Sequence, residues 1–148
     1  MLTLVVGLAL VAGVNSANGQ ITSHAVTAEI PFDFVVGNKT LAAGRYMVSS
    51  ATSDGQAIRI RNSDGKSGAF RLTIQVPEKS QKRNAKLVFH RYGQQYFLAE
   101  VWSGGSWGNQ LATCSHERNL RRELASNASK IDAPTGSYQV VEVVAMVR

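Results

Sequence analysis

The chain has 148 residues, of which 44% are hydrophobic and 18% charged, a balance that excludes a disordered linker and suffices for one domain with its own core. Sixteen Lys and Arg against ten Asp and Glu give a net charge of +6, which favours anionic partners. Cys114 is the single cysteine, so an intrachain disulfide is excluded, and no Cys/His set has the spacing of a zinc site.

Residues 1–19 carry no charged side chain, and an apolar run spans 2–14. That run falls short of the roughly 20 residues a membrane-crossing helix needs. Small and polar residues follow at Asn15-Ser16-Ala17-Asn18-Gly19, which predicts a signal peptide cleaved after Ala17 or Gly19. Its n-region is unusual, because Met1 supplies only an amino group where Lys or Arg is common. No cysteine follows the apolar run to take a lipid, so the expected product is a soluble domain of residues 20–148 in the periplasm or outside the cell. All of the +6 charge falls on that domain.

The first expected strand covers 25–36, with Val26, Ala28, Ile30, Phe32 and Phe34 alternating, and Pro31 marks a bulge or an edge. Gly37-Asn38-Lys39-Thr40 is turn chemistry, and Arg45-Tyr46-Met47-Val48 reads as a second strand. A hairpin follows. Ile58 and Ile60 on one arm, and Phe70, Leu72, Ile74 and Val76 on the other, are all even-numbered. If all six share the core face, the loop has odd length, which predicts Ser63-Asp64-Gly65 as the turn and puts Arg59, Arg61 and Arg71 on the outer face.

A second hairpin joins 86–92 to 96–102 through Gly93-Gln94, a type II′ turn with Gly first. That pairing places Leu87, Phe89, Leu98 and Glu100 on one face, and Val88, His90, Phe97, Ala99 and Val101 on the other. Both faces are largely apolar, so the hairpin is expected to be covered on both sides. Residues 103–108 form a Gly-rich loop that exposes Trp107. Ser115 is the expected N-cap of a helix through Asn127, with Leu120 and Leu124 as its apolar stripe and Glu117 four residues before Arg121. A linker covers 126–136, and residues 138–147 close the chain as an apolar strand. The fold expected is all-β, an antiparallel barrel or sandwich of about seven strands with one short surface helix near the C-terminus.

Chemistry-bearing motifs are sparse. His24, His90 and His116 are scattered, and phosphate loops and dinucleotide fingerprints are absent from the sequence, so neither a metal nor a cofactor is expected. Two pairings would serve a hydrolytic enzyme: His90 with Glu100, or Cys114 with His116. Asn38-Lys39-Thr40 and Asn127-Ala128-Ser129 match the glycosylation sequon. The remaining candidates are cationic and aromatic: Arg59, Arg61, Arg71, Arg91, Tyr92, Tyr96 and Trp107, with Lys82, Arg83 and Trp102 beside them. Oligosaccharide and nucleic-acid binders combine stacking rings with cations in this way; the partner expected is an anionic polymer, a glycan or a lipid headgroup, and no specific nucleic acid. The expected role is an exported binding or structural envelope protein, with the enzyme and a barrel carrying a small apolar ligand as alternatives.

Two stretches carry a resemblance. Ile30-Pro31-Phe32-Asp33-Phe34-Val35-Val36-Gly37-Asn38, followed by Leu41-Ala42-Ala43-Gly44-Arg45-Tyr46, resembles a recurring PFxFxVGxxxLPAGxY pattern. Leu87-Val88-Phe89-His90-Arg91-Tyr92-Gly93, with Tyr96-Phe97-Leu98 and Trp102, is similar to the second signature of the same group. The group consists of small exported bacterial proteins of uncharacterised function. Ala42 stands where the pattern usually has Pro. The resemblance implies a bacterial source and export, and it brings no catalytic residue with it.

Overall fold

The computed structural model describes residues 25–79, 83–128 and 138–148. The expected leader, Lys82 and most of the 126–136 linker lie outside these. Pro31 divides the first expected strand into β1 (Val26–Ile30) and β2 (Phe34–Val36). Gly37, at φ +65°, and Asn38 then turn the chain into β3 (Lys39–Leu41). β4 (Gly44–Ser50), β5 (Ala57–Asn62), β6 (Gly68–Pro77), β7 (Ala85–Tyr92), β8 (Gln95–Ser103) and β9 (Trp107–Leu111) follow as neighbours in sequence. Helix α1 (Ser115–Ala128) and β10 (Gln139–Val147) complete the described chain.

Eight strands close into an antiparallel barrel, in the order β8-β7-β10-β1-β4-β5-β6-β9 and back to β8. β2 and β3 are additional: β2 runs parallel to the first half of β8, with Val35 opposite Phe97, and β3 pairs with β2. The all-β expectation and the late helix are observed, and of the two architectures the chain adopts the barrel. Its interior is apolar, with Val26, Ile30, Phe34, Tyr46, Val48, Ile58, Ile60, Leu87 and Phe89 all buried. Ion pairs lie outside, Arg45 Nε to Glu29 Oε2 at 3.0 Å and Lys86 Nζ to Glu142 Oε1 at 2.8 Å. Among the described residues no helix is long and apolar enough to cross a membrane.

Two registers differ from those read in the sequence. In the β5–β6 hairpin Ile60 faces Ala69 and Arg59 faces Phe70. The partner numbers therefore sum to an odd value, and the turn is longer and even. Asn62 N–H bonds Ser67 O at 2.9 Å, while Asn62 and Asp64 side chains hold the N–H groups of Asp64 and Lys66. Ile58 and Ile60 face the core, whereas Phe70, Leu72 and Ile74 are exposed, at 55%, 71% and 64%. Arg59 and Arg61 stay outside, but Arg71, opposite Ile58, belongs to the inner face. The odd-loop expectation failed because it assumed that every apolar residue faces the core.

In the β7–β8 hairpin the two-residue Gly93-Gln94 turn is observed, with Tyr92 opposite Gln95. Gly93 has φ +60° and Gln94 does not enter the positive region, as a type II′ turn requires. His90 faces Phe97 and Phe89 faces Leu98, but Val88 then faces Glu100. Ala99 is the extra residue of a β-bulge, which exchanges the faces of β8 beyond it. Val101 consequently joins Leu87 in the core, and Glu100 turns outward with Val88.

Core and surface should therefore respond oppositely at two phenylalanines. Phe89→Ala is expected to lower stability by about 3–5 kcal/mol, as removal of a fully buried aromatic does. Phe70→Ala is expected to stay within about 0.5 kcal/mol of the parent. Urea denaturation measures both, and a costly Phe70 variant would restore the shared-face register.

Candidate functional site

The filling of the barrel is uneven. At one end Phe34 meets Tyr46 edge-on at 5.1 Å and Phe89 at 5.5 Å, while Phe32 stacks on Tyr96 at 3.8 Å. The opposite end holds a cavity of about 230 Å³. Val48, Ile58 and Val101 form its apolar floor, and Ser50, Thr52, Asp54, Gln75, Asn109 and Trp107 belong to its lining.

The rim is braced by hydrogen bonds between loop and strands. Ser50 Oγ donates to Thr52 O at 2.7 Å, and Gln75 Nε2 donates to Asp54 O at 3.4 Å. Thr73 Oγ1 lies 3.3 Å from Gly55 O and 3.4 Å from Asn109 Oδ1. Gly55 takes φ +71°, and a Cβ there would meet Gln75 Nε2 at 2.5 Å, so glycine permits the close approach of loop and strand. Asp54 accepts the N–H of Gln56 at 3.0 Å. The Thr52 side chain and then that N–H hold its carboxyl below the usual carboxylate range, so it is ionised at neutral pH. Among the described residues no Lys or Arg lines the cavity, and Asp54 is the one charged group in its lining. Trp107, as expected from its Gly-rich surroundings, is 58% exposed, although it begins β9 and does not sit in a loop.

The other candidate residues are dispersed. Arg59 and Arg61 project from β5, across the barrel from β7 and β8. Arg91 donates through Nε to Gly93 O at 2.8 Å and lies over the Tyr96 ring, 5.4 Å from its centroid. Tyr96 is itself stacked on Phe32, and Tyr92 is buried at 4% exposure. These residues therefore do not form one binding face with Trp107.

The expected catalytic pairs are arranged differently. His90 Nδ1 lies 2.9 Å from Glu117 Oε1, not against Glu100, and Tyr92 O–H donates to the same Glu117 oxygen at 3.3 Å. Glu100 Oε2 accepts the Trp102 indole N–H at 2.8 Å. Cys114 Sγ accepts the Glu117 N–H at 3.4 Å, while His116 presents itself edge-on to Phe97 at 5.4 Å. Cys114, not Ser115, is thus the N-cap, since its carbonyl also accepts the Arg118 N–H. Among the described residues no group of three or more His, Cys, Asp and Glu is placed to hold a metal ion.

Glu117 is the functional-looking residue that the sequence did not single out. It is 5% exposed in the first turn of α1, where the helix dipole favours a carboxylate. Its spacing from Arg121 suggested a surface pair; its side chain instead points into the barrel wall, and the ring of Tyr138 stacks on His90 at 3.8 Å. The cluster anchors the helix: Leu120 packs on Val35, Tyr92, Phe97 and Cys114, while Leu124 remains partly exposed. Comparison with protein-family models, with curated proteins and with solved structures finds no match.

The anchor has an alkaline signature. Burial, then the Glu117 charge, pushes the Tyr92 hydroxyl up to about 12, from an ordinary value near 10. Between those values the folded chain keeps a proton that the unfolded chain has lost. Stability therefore falls as pH rises through that window, by about 2–3 kcal/mol in total from this group. Lys86, raised by its bond to Glu142, acts in the same direction. Urea midpoints across about pH 9–12 should fall less steeply for Tyr92→Phe than for the parent, and equal slopes would remove Tyr92 as a source of the loss.

Proposed function

We propose that the chain is an exported binding protein whose barrel mouth takes a small, uncharged, hydroxyl-rich group, such as one sugar residue of a glycan. The observation that carries this reading is the composition of the mouth. An exposed indole stands beside amide and hydroxyl groups and one ionised carboxylate, over an apolar floor. A sugar ring presents C–H groups to an aromatic face and hydroxyls to carboxylate and amide partners, so both halves of the lining have work. Eight-stranded barrels have interiors of a size to hold one small ligand at most. About 230 Å³ is below the range of drug-sized pockets, which suits a single ring and not a longer chain.

The electrostatics distinguish this from the anionic-partner reading. With Asp54 ionised and no cation among the described residues of the lining, an anion entering the mouth meets a like charge. The carrier of an apolar ligand is disfavoured by the polar rim, whose groups such a ligand would leave unpaired. Export is supported by the apolar leader and by the resemblance to small exported bacterial proteins.

Titration with neutral monosaccharides and short glycans, followed by tryptophan fluorescence and calorimetry, tests the reading. Binding is expected to weaken by about tenfold or more in Trp107→Ala and in Asp54→Ala, equivalent to at least about 1.4 kcal/mol. Salt should have little effect on a neutral ligand. Sugar binding that survives both substitutions, or none at about 10 mM ligand, would sink the proposal.

A further inference from the structure

A different surface, independent of the mouth, carries a second site. Asn62 N–H bonds Ser67 O, and Thr73 N–H bonds Gln56 O at 2.8 Å, both in the β5–β6 register. Antiparallel pairs alternate between bonded and non-bonded, so the odd-numbered residues of β6 direct their backbone groups to β5. The even-numbered ones direct theirs to the other side. There β9 pairs with residues 73–77 and ends with Leu111 opposite Thr73. Lys39 Nζ takes the carbonyl of Gly68 at 2.8 Å. Between these points, among the described residues, no strand is paired with Phe70 and Leu72 on that side.

Unpaired N–H and C=O groups in a row are a template for another strand. Three further observations describe what would fit. Phe70, Leu72 and Ile74 form an exposed apolar row on the outer face of this edge. A groove of about 360 Å³ adjoins Leu72 and Ile74 where the chain leaves β9. On the inner side Arg71 lies against Gly37, and its Nε is buried with no hydrogen-bond partner among the described residues, a costly condition that a carboxylate would relieve. Arg59 and Arg61 add positive charge on the outside.

We infer that β6 accepts an extended peptide segment by strand addition, and that the segment alternates apolar and acidic residues. Alternate side chains of an added strand face opposite sides. Those on the outer side meet the Phe70–Leu72–Ile74 row, and those on the inner side meet Arg71 and Lys39. The arrangement disfavours a second copy of this chain, which would bring its own Arg59, Arg61 and Arg71 against the same cations. The partner is thus an acidic segment of another protein, held by main-chain bonds and selected by its alternation.

The test uses a fluorescein-labelled peptide of about eight residues alternating valine and glutamate, read by anisotropy against the whole chain. A version with lysine for glutamate and a version with a central proline are each expected to bind about tenfold more weakly or worse. Phe70→Ser and Leu72→Ser, both on the surface, should weaken the valine–glutamate peptide at least about fivefold with an unchanged melting temperature. Backbone amides of Phe70 and Leu72 should exchange rapidly in the free protein and become protected by the peptide. Equal binding of the glutamate and lysine peptides, no binding at about 1 mM, or slow exchange of both amides in the free monomer would overturn the inference. So would a dimer that protects these amides without peptide.

Discussion

The extra residue at Ala99 is the constraint on which the rest of the barrel depends. In a strand of period two, one inserted residue exchanges inside and outside for everything beyond it. Before the bulge, β8 sends Leu98 into the core and Phe97 outward, where Phe97 joins Tyr92, Cys114 and Leu120 beneath the helix. After it, Val101 enters the core and Trp102 lies outside. A Cβ at Gly108 would come within 2.5 Å of the Trp102 ring, so β9 can close against β8 only with glycine opposite the indole. The two halves of β8 thus serve different neighbours on the same side, β2 first and β9 second.

That division explains why the barrel is packed at one end and hollow at the other. β2 and its preceding turn bring Phe32 and Phe34 against Phe89, Tyr46 and Tyr96. Tyr46, with no exposed surface, still satisfies its hydroxyl, which donates to Ala42 O at 2.9 Å. Such edge-on aromatic contacts contribute beyond area burial, by roughly 0.5–1.5 kcal/mol a pair. At the far end the inward positions are Val48, Ile58 and Val101, smaller than the rings of the packed end, and the 51–56 loop supplies polar groups beside them. The cavity is a consequence of side-chain volume, and its polar rim follows from the loop that borders it.

Local signals in the chain were readable, and signals that depend on tertiary partners were not. Pro31, Gly93-Gln94 and the helix after Cys114 each act through backbone geometry that a few residues determine. The β5–β6 register was misread because Phe70, Leu72 and Ile74 are apolar yet face solvent, so parity drawn from hydrophobicity pointed to the wrong pairing. The Ala99 bulge leaves no mark in composition, since alanine suits either face. Glu117 looked like an ordinary helical surface acid. Only the approach of His90 and Tyr92 from β7 gives it a buried role. A sequence sign did exist in retrospect: two polar rings two residues apart on one strand, both requiring a partner outside the core. Trp107 was legible because a large ring among glycines and serines has little to pack against.

The charges of this domain are segregated in a way that its net value conceals. Arg59, Arg61, Arg71 and Lys39 gather around the exposed part of β6, while the cavity at the mouth has Asp54 and, among the described residues, no cation. A net charge of +6 suggested one basic surface for one anionic partner. The geometry instead separates a cationic edge, whose exposed attractions are weakened by salt over about 8–10 Å, from a mouth lined by hydroxyl and amide groups. A partner on the edge and a ligand in the mouth would therefore respond differently to ionic strength. Simultaneous occupation is sterically open, because the edge lies on the outside of β6 at Phe70 and Leu72, whereas Gln75, further along the same strand, faces inward to the cavity.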